Sequence, residues 1–542
     1  MQRAVSALER ARLAYRPRLP PILRSGLDRL AVEEAGATTA TRDADLIRAR
    51  FPRTFGRPIV RLGSGRSPMP SASMTVGVVL SGGQAPGGHN VITGLFDALR
   101  SMHADSRLLG FLGGPRGVVE GNQRELTEPL LAPFRNTGGF DLIGGGRDKI
   151  ETTEQFAACR ATCLGLGLDG LVIVGGDDSN TNAAMLAEYF VEHDVRTAVV
   201  GVPKTIDGDM RGNGIETSFG FDTATKTYSE LIGNICRDAA SAGKYWHFVK
   251  LMGRNASHVA LECALSTRVN VALIGEEVER DATTLEQIVE RIAQVIRARA
   301  ATGRGYGVCI VPEGLIEFIP EMRALIAELN RLLADPSAAG PVDRRETIVA
   351  ASLGNGGRRA FASLPEAIRH QLLFERDAHG NVQVSLIETE RLLVEKVRER
   401  LGGLRAQQHF FGYEGRSAAP SNFDADYTYA LGHVAAALIA LGRTGYVCAV
   451  QDLHLPPDRW RAAGIPLTSL MQIEQRRGRA TPVIGKALVD LGGAPFGELA
   501  AERERWSIED AYLYPGAIQY FGPDEICNRP TRTLELEAGA RR

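Results

Sequence analysis

"MTVGVVLSGGQAPGGHNVITGLFDALR", residues 74–100, reads in three parts. Val76 to Leu80 is an unbroken apolar run, the pattern of a strand buried on both faces. Ser81 to His89 is a glycine-rich turn, and Asn90 to Arg100 spaces its apolar side chains as a helix does. The same grammar returns in "DGLVIVGGDDSNTNAAMLAEYF" (169–190) and in "RTAVVGVPKTIDGDM" (196–210). Its repetition predicts a doubly wound parallel sheet, in which ligands lie beyond the carboxyl ends of the strands. The loops 81–89, 175–182 and 203–210 are therefore expected to converge on one crevice.

A second α/β unit follows. "YWHFVKLMGRNASHVALECALS" (245–266) is again strand, turn and helix, and "GYGVCIVPEGL" (305–315) is a buried strand ending in a polar loop. Residues 280–300 have the period of an amphipathic helix, and about 317–408 is helical and charge-rich, an insertion on the second unit. Residues 1–74 form a preface: a helical pattern over Val5–Tyr15, the proline-marked "YRPRLPPIL", then a Gly/Ser/Pro-rich linker or strap. The expected division is 75–240 and 241–423, with 424–542 (a long helix from Asp424 to Leu441, a strand from Gly445 to Val450 and a tail) packing back on both.

With 542 residues the chain exceeds one ordinary core. A net charge of −1 supplies no basic field for nucleic acid and no polybasic membrane signature, and no stretch is apolar for long enough to span a bilayer. Seven cysteines without a C-x-x-C pair give neither a disulfide framework nor zinc spacing. A reducing, cytoplasmic setting is expected, and the Arg-rich start lacks the apolar centre of a secretory signal. Basic residues are mostly Arg, so the seven lysines (149, 204, 226, 244, 250, 396 and 486) are each worth locating.

Ser81 to Gly88 lets backbone N–H groups approach an anion closely, yet it lacks both the Walker ending and the dinucleotide fingerprint. Alone it reads equally as a phosphate cradle or a tight turn. In "PKTIDGDM" Asp207 and Asp209 flank a Gly at a strand end, beside Lys204 and Thr205. A solvated turn explains that loop in isolation. Together with Asp177 and the two glycine loops, it offers carboxylates for a magnesium ion and a base next to anion sites, the parts list of phosphoryl transfer. Arg254 in "LMGRN", Glu313 in "VPEGL", and Tyr413 and Arg416 in "GYEGRS" suit a phosphorylated sugar or polyol.

"SGGQAPGGHN", "GGDDS", "PKTIDGD", "MGR", "PEG" and "GYEGR" occur in the order seen in the phosphofructokinase family, and the chain resembles its long, plant-type pyrophosphate-dependent branch from about Leu8 onward. The resemblance implies two Rossmann-like three-layer α/β domains with an N-terminal extension and a mostly helical insertion. It implies transfer of a phosphoryl group from pyrophosphate to the 1-hydroxyl of fructose 6-phosphate with Mg2+. Gly82, Gly83, Arg147 and Lys204 would bind diphosphate, Asp177 would hold the metal, and Asp207 would accept the hydroxyl proton. Asp209 and Arg254 would assist with charge, and Thr205, Ile206, Met252, Gly253, Arg254, Glu313 and Tyr413-Glu414-Gly415-Arg416 would hold the sugar phosphate. Lys244 and Tyr245 match positions that reach a neighbouring subunit's substrate, which implies a homodimer whose sites are completed across subunits.

The donor is the discriminating feature. ATP-dependent relatives read "GGDGS" and "GTIDND" where this chain reads "GGDDS" and "KTIDGD". Asp178 would fill the room left for the α-phosphate of ATP and repel it, while Lys204 adds a cation for pyrophosphate. Three other readings compete. An ATP-dependent kinase would lack these two changes, and a non-catalytic regulatory subunit would have lost Asp177, Asp207, Asp209 or Arg254. A lipid or NAD kinase would share a GGD loop without "MGR", "PEG" and "GYEGR".

Overall fold

Among the described residues, a ten-stranded sheet is ordered around the run that begins at Thr75, with Tyr446–Gln451 and Arg461–Pro466 drawn from far along the chain. The computed structural model describes residues 5–24, 27–65, 72–334, 341–376, 380–476, 479–518 and 528–540. The chain divides into two compact units: 1–224 with 415–487 and 518–534, and 225–414 with 488–517 and 535–542.

In the first unit five parallel strands lie side by side in the order Arg107–Phe111, Thr75–Ser81, Gly170–Gly175, Ala198–Pro203 and Tyr446–Gln451. The chain leaves Thr75–Ser81 in one direction and returns on its other side at Gly170–Gly175, so the topological switch falls between these two strands. Both are buried almost throughout, which is why they read as continuous apolar runs. Antiparallel strands close the edges: Gln123–Leu126 on one side, and Arg461–Pro466, Pro58–Ser64 and Leu30–Ala37 on the other. The helices Gly88–Met102 and Asn422–Ala440 cross at two glycines. A Cβ on Gly94 would meet the Tyr429 carbonyl oxygen at 2.3 Å, and one on Gly432 would meet that of Val91 at 2.4 Å.

Two segments depart from expectation. The preface has its short helix, Ala7–Leu13, yet most of it is no strap: Leu30–Ala37 and Pro58–Ser64 extend the large sheet, and Ile47, Phe51 and Val60 are buried. Much of its Gly/Ser/Pro-rich end, 66–71, lies outside the described residues. The supposed tail holds the strand Arg461–Pro466, a hairpin of Met471–Arg476 with Arg479–Ile484, and the helices Ala494–Ile508 and Arg532–Ala540.

The second unit is built on four parallel strands ordered Val271–Ala272, Gly307–Pro312, Trp246–Leu251 and Ala406–Phe411. The helix expected near 280–300 is Leu285–Ala301, opened by a capping box between Thr284 and Gln287. Helices of the inserted segment share one core with this sheet, Leu325, Leu329, Leu372 and Leu392 packing in the cluster that holds Trp246 and Phe248. All six cysteines among the described residues are free and buried, and no described helix is long and apolar enough to cross a membrane.

Candidate active site

At the carboxyl end of Thr75–Ser81 the chain turns through Gly82, whose φ of 87° is a conformation suited to glycine. Its N–H donates to the Gly146 carbonyl (2.7 Å), and a Cβ there would stand 3.0 Å from Lys204 Nζ. A Cβ on Gly83 would lie 3.4 Å from the Arg147 guanidinium and 3.5 Å from that of Arg416. Two consecutive residues without side chains thus face three cations, a setting for a small, highly charged anion. Arg416, expected beside Tyr413 with the sugar, stands in the first unit with this glycine loop.

Across the switch point, Gly175 and Gly176 lead into the helix Asp177–Glu192. Ser179 Oγ donates to Ser81 Oγ (2.7 Å), stitching the two loops, and Asn180 Nδ2 holds the Gly175 and Gly176 carbonyls at 2.6 and 3.0 Å. Asp177 and Asp178 occupy the first turn, where the helix dipole favours negative charge. Each has a lysine beside it: Lys486 Nζ is 3.6 Å from Asp177 Oδ2, and Lys149 Nζ is 3.1 Å from Asp178 Oδ2.

The third loop follows Ala198–Pro203. Lys204 is buried, its own N–H donating to the Gly175 carbonyl (3.0 Å). Burial, then the nearby Arg416, pulls the ammonium down to about 8, against the opposing pull of Asp207. Asp207 takes its shape from an Asx-like turn in which its N–H donates to Thr205 Oγ1 (3.1 Å). Ile206 is 2% exposed, so its side chain belongs to the core and only its backbone is free to meet a ligand. Asp209 is buried, and burial followed by the charges of Asp207 and Asp177 pushes its carboxyl up to about 7, with Lys486 opposing.

No group of three or more His, Cys, Asp or Glu side chains is arranged to hold a metal among the described residues. Magnesium requires no such cage: it keeps waters and takes one or two carboxylates together with substrate phosphate oxygens. Asp177 and Asp207, close enough to raise Asp209, fit that mode.

In the second unit the carboxyl ends of three adjacent strands carry the remaining candidates. Gly253, with φ of 135°, donates its N–H to Glu313 Oε2 (3.0 Å), and the Glu313 N–H returns to the Leu251 carbonyl (2.9 Å). A Cβ on Gly314 would fall 1.8 Å from the Arg254 carbonyl oxygen, so the "MGR" and "PEG" turns interlock through their glycines. Met252 is buried against Gly412, whose N–H donates to the Glu414 carboxylate (2.9 Å), while Arg254 and Tyr413 are exposed. Gly415 is buried and opens the return to the first unit. Lys244 and Tyr245 are not brought to this cluster: they precede Trp246–Leu251, at the opposite end of the strand from Met252.

Reading the sequence did not place Lys149 beside Asp178 or Lys486 beside Asp177. The signal available was rarity, since three of the seven lysines (149, 204 and 486) gather around these loops.

The family profile described as Phosphofructokinase matches residues 75–439. The chain is 52% identical to a pyrophosphate–fructose 6-phosphate 1-phosphotransferase of Treponema pallidum, covering 99% of this chain and 98% of that protein. It is 48% identical to the enzyme of that name from Porphyromonas gingivalis (99% and 100% covered), and 48% identical to the subunit beta from Solanum tuberosum (98% and 94%). In fold it is similar to the pyrophosphate-dependent phosphofructokinase of Nitrosospira multiformis, with a TM-score of 0.56 at 16% identity over 84% of this chain and 96% of that one.

Proposed function

The chain belongs to the phosphofructokinase family, and from that premise we propose that it transfers a phosphoryl group reversibly from pyrophosphate to the 1-hydroxyl of D-fructose 6-phosphate, giving fructose 1,6-bisphosphate and phosphate. The observation that carries the donor assignment is local. Lys204 is buried against Gly82, while Asp178 occupies the helix N-terminus and is held there by Lys149. In this reading the cations serve a compact diphosphate and the Asp178 carboxylate disfavours a longer, more extended donor.

Each residue has a task in this reading. Gly82 and Gly83 admit the diphosphate, and Lys204, Arg147 and Arg416 offset its charge as it shifts to the leaving phosphate. Asp207 takes the proton of the 1-hydroxyl as the new P–O bond forms. Asp177 would hold Mg2+, which would supply charge neutralisation during transfer. Asp209, buried, acts on the substrates through Asp177 and Asp207. Met252, Gly253, Arg254, Glu313, Tyr413 and Glu414 hold fructose 6-phosphate, Arg254 also easing charge at transfer.

The enzyme is read as a cytoplasmic homodimer serving glycolysis, with Lys244 and Tyr245 reaching the partner's sugar. Their placement away from Met252 and Arg254 in their own chain supports that role. A regulatory, non-catalytic reading is disfavoured because Asp177, Asp207, Asp209 and Arg254 are all present. The deciding assay couples fructose 1,6-bisphosphate formation to NADH oxidation with magnesium pyrophosphate or magnesium ATP as donor. Turnover with pyrophosphate and negligible turnover with ATP is expected; the reverse result overturns the assignment.

A further inference from the structure

The hairpin of Met471–Arg476 and Arg479–Ile484 delivers a lysine that the mechanism above does not use. Residues 484–487 are fastened at both ends to donor-site elements. The Ile484 N–H donates to Thr181 Oγ1 on the helix Asp177–Glu192 (2.9 Å), and the Ala487 N–H donates to the Asp209 carbonyl (2.8 Å). Between these anchors Lys486 sets its ammonium 3.6 Å from Asp177 Oδ2, both side chains being about one quarter exposed. A lysine on a free loop loses side-chain entropy in making such a pair. Here two backbone hydrogen bonds already fix the stem from which it reaches.

We propose that Lys486 is a resident counter-ion for Asp177, a positioning residue that occupies the carboxylate in the diphosphate-free chain so that the divalent cation enters together with diphosphate rather than ahead of it. The inference rests on the reading of Asp177 as the metal-holding residue. Asp177, Asp207 and Asp209 would by themselves attract a hydrated cation. An ammonium at this distance repels that cation and competes for the same oxygen. A diphosphate carries several negative charges and outweighs one ammonium, so the metal–diphosphate complex is penalised far less. The arrangement couples the two ligands, each raising the affinity of the other.

The test is a titration of the full chain with Mn2+, followed by electron paramagnetic resonance, without fructose 6-phosphate. In the absence of diphosphate, Lys486→Met and Lys486→Gln should bind one Mn2+ about tenfold or more tightly than the parent. Lys486→Arg should stay within about twofold of it. Adding Asp177→Asn to Lys486→Met should remove the gained site. In the unmodified chain, inorganic pyrophosphate should strengthen Mn2+ binding once the solution complex of the two is subtracted. Neutral variants that bind Mn2+ no more tightly, a gain that survives Asp177→Asn, or an unmodified chain without coupling would each overturn the proposal. The last needs no variant to fold. Because the titration reads no turnover, its failure is distinguishable from failure of the donor assignment, which the coupled assay alone decides.

Discussion

Lys204 meets two opposed demands. In the proposed reaction its charge must be present to grip a diphosphate, yet burial and the neighbouring Arg416 and Arg147 favour losing the proton. An ammonium pulled from its ordinary 10.5 to about 8 costs the folded state roughly 3 kcal/mol. The sign follows from the depressed folded value: the cost is fully present below about 8 and fades as pH rises toward 10.5. Function moves the other way. The value of kcat/KM for pyrophosphate should fall as pH rises through about 8, and Lys204→Arg should move that limb upward; a pH–rate profile of both checks it. Asp207→Asn should lower kcat by about 10²–10⁴ while KM for fructose 6-phosphate changes by no more than about threefold. Steady-state kinetics over both substrates measures the split, and a loss confined to KM would remove Asp207 from proton transfer.

Among the elements, those that were legible in the sequence are the ones buried on both faces. Val76–Leu80 and Leu171–Val174 could hardly be anything but central strands, and the loops after them carry residues of the proposed donor site. Edge elements were harder. Leu30–Ala37 carries Ala, Glu and Gly, poor strand formers, and it is a strand because Pro58–Ser64 pairs with it. Ala406–Phe411 leaves Gln407 and Gln408 exposed and owes its place to Trp246–Leu251. Only its rarity marked Lys486: its hairpin is far along the chain from Asp177, and no local pattern announces an ion pair between them. The helix crossing was also invisible, although its two glycines explain it. Gly94→Val would drive a methyl into the Tyr429 carbonyl and should destabilise the chain by about 2–3 kcal/mol or more, read as a lower midpoint in urea.

At the scale of the molecule, each unit is completed by late sequence. The second is closed by residues 488–517, clasped by Asn270 and by the fully buried Arg299. Asn270 Nδ2 donates to the Trp506 carbonyl (3.0 Å), and Arg299 donates to the Ile508 carbonyl and the Asp510 carboxylate, both at 2.7 Å. Arg299→Met strands those acceptors and should cost about 3–5 kcal/mol, seen as a lower unfolding temperature. The first unit is completed by 415–487, which brings Arg416 and Lys486 to loops laid down more than 200 residues earlier. The ordered motifs identified the reaction, while the gathering of Arg416 and Lys486 at these loops emerged only once the chain had returned on itself. The central claim is that Asp178 and Lys204 together select the donor, and it is tested most directly by kcat/KM for ATP relative to pyrophosphate in the parent and in Asp178→Gly/Lys204→Gly. The ratio should rise by at least about tenfold in the double variant, as room opens and repulsion is removed. A double variant that loses activity with pyrophosphate and shows no relative gain for ATP would contradict the account.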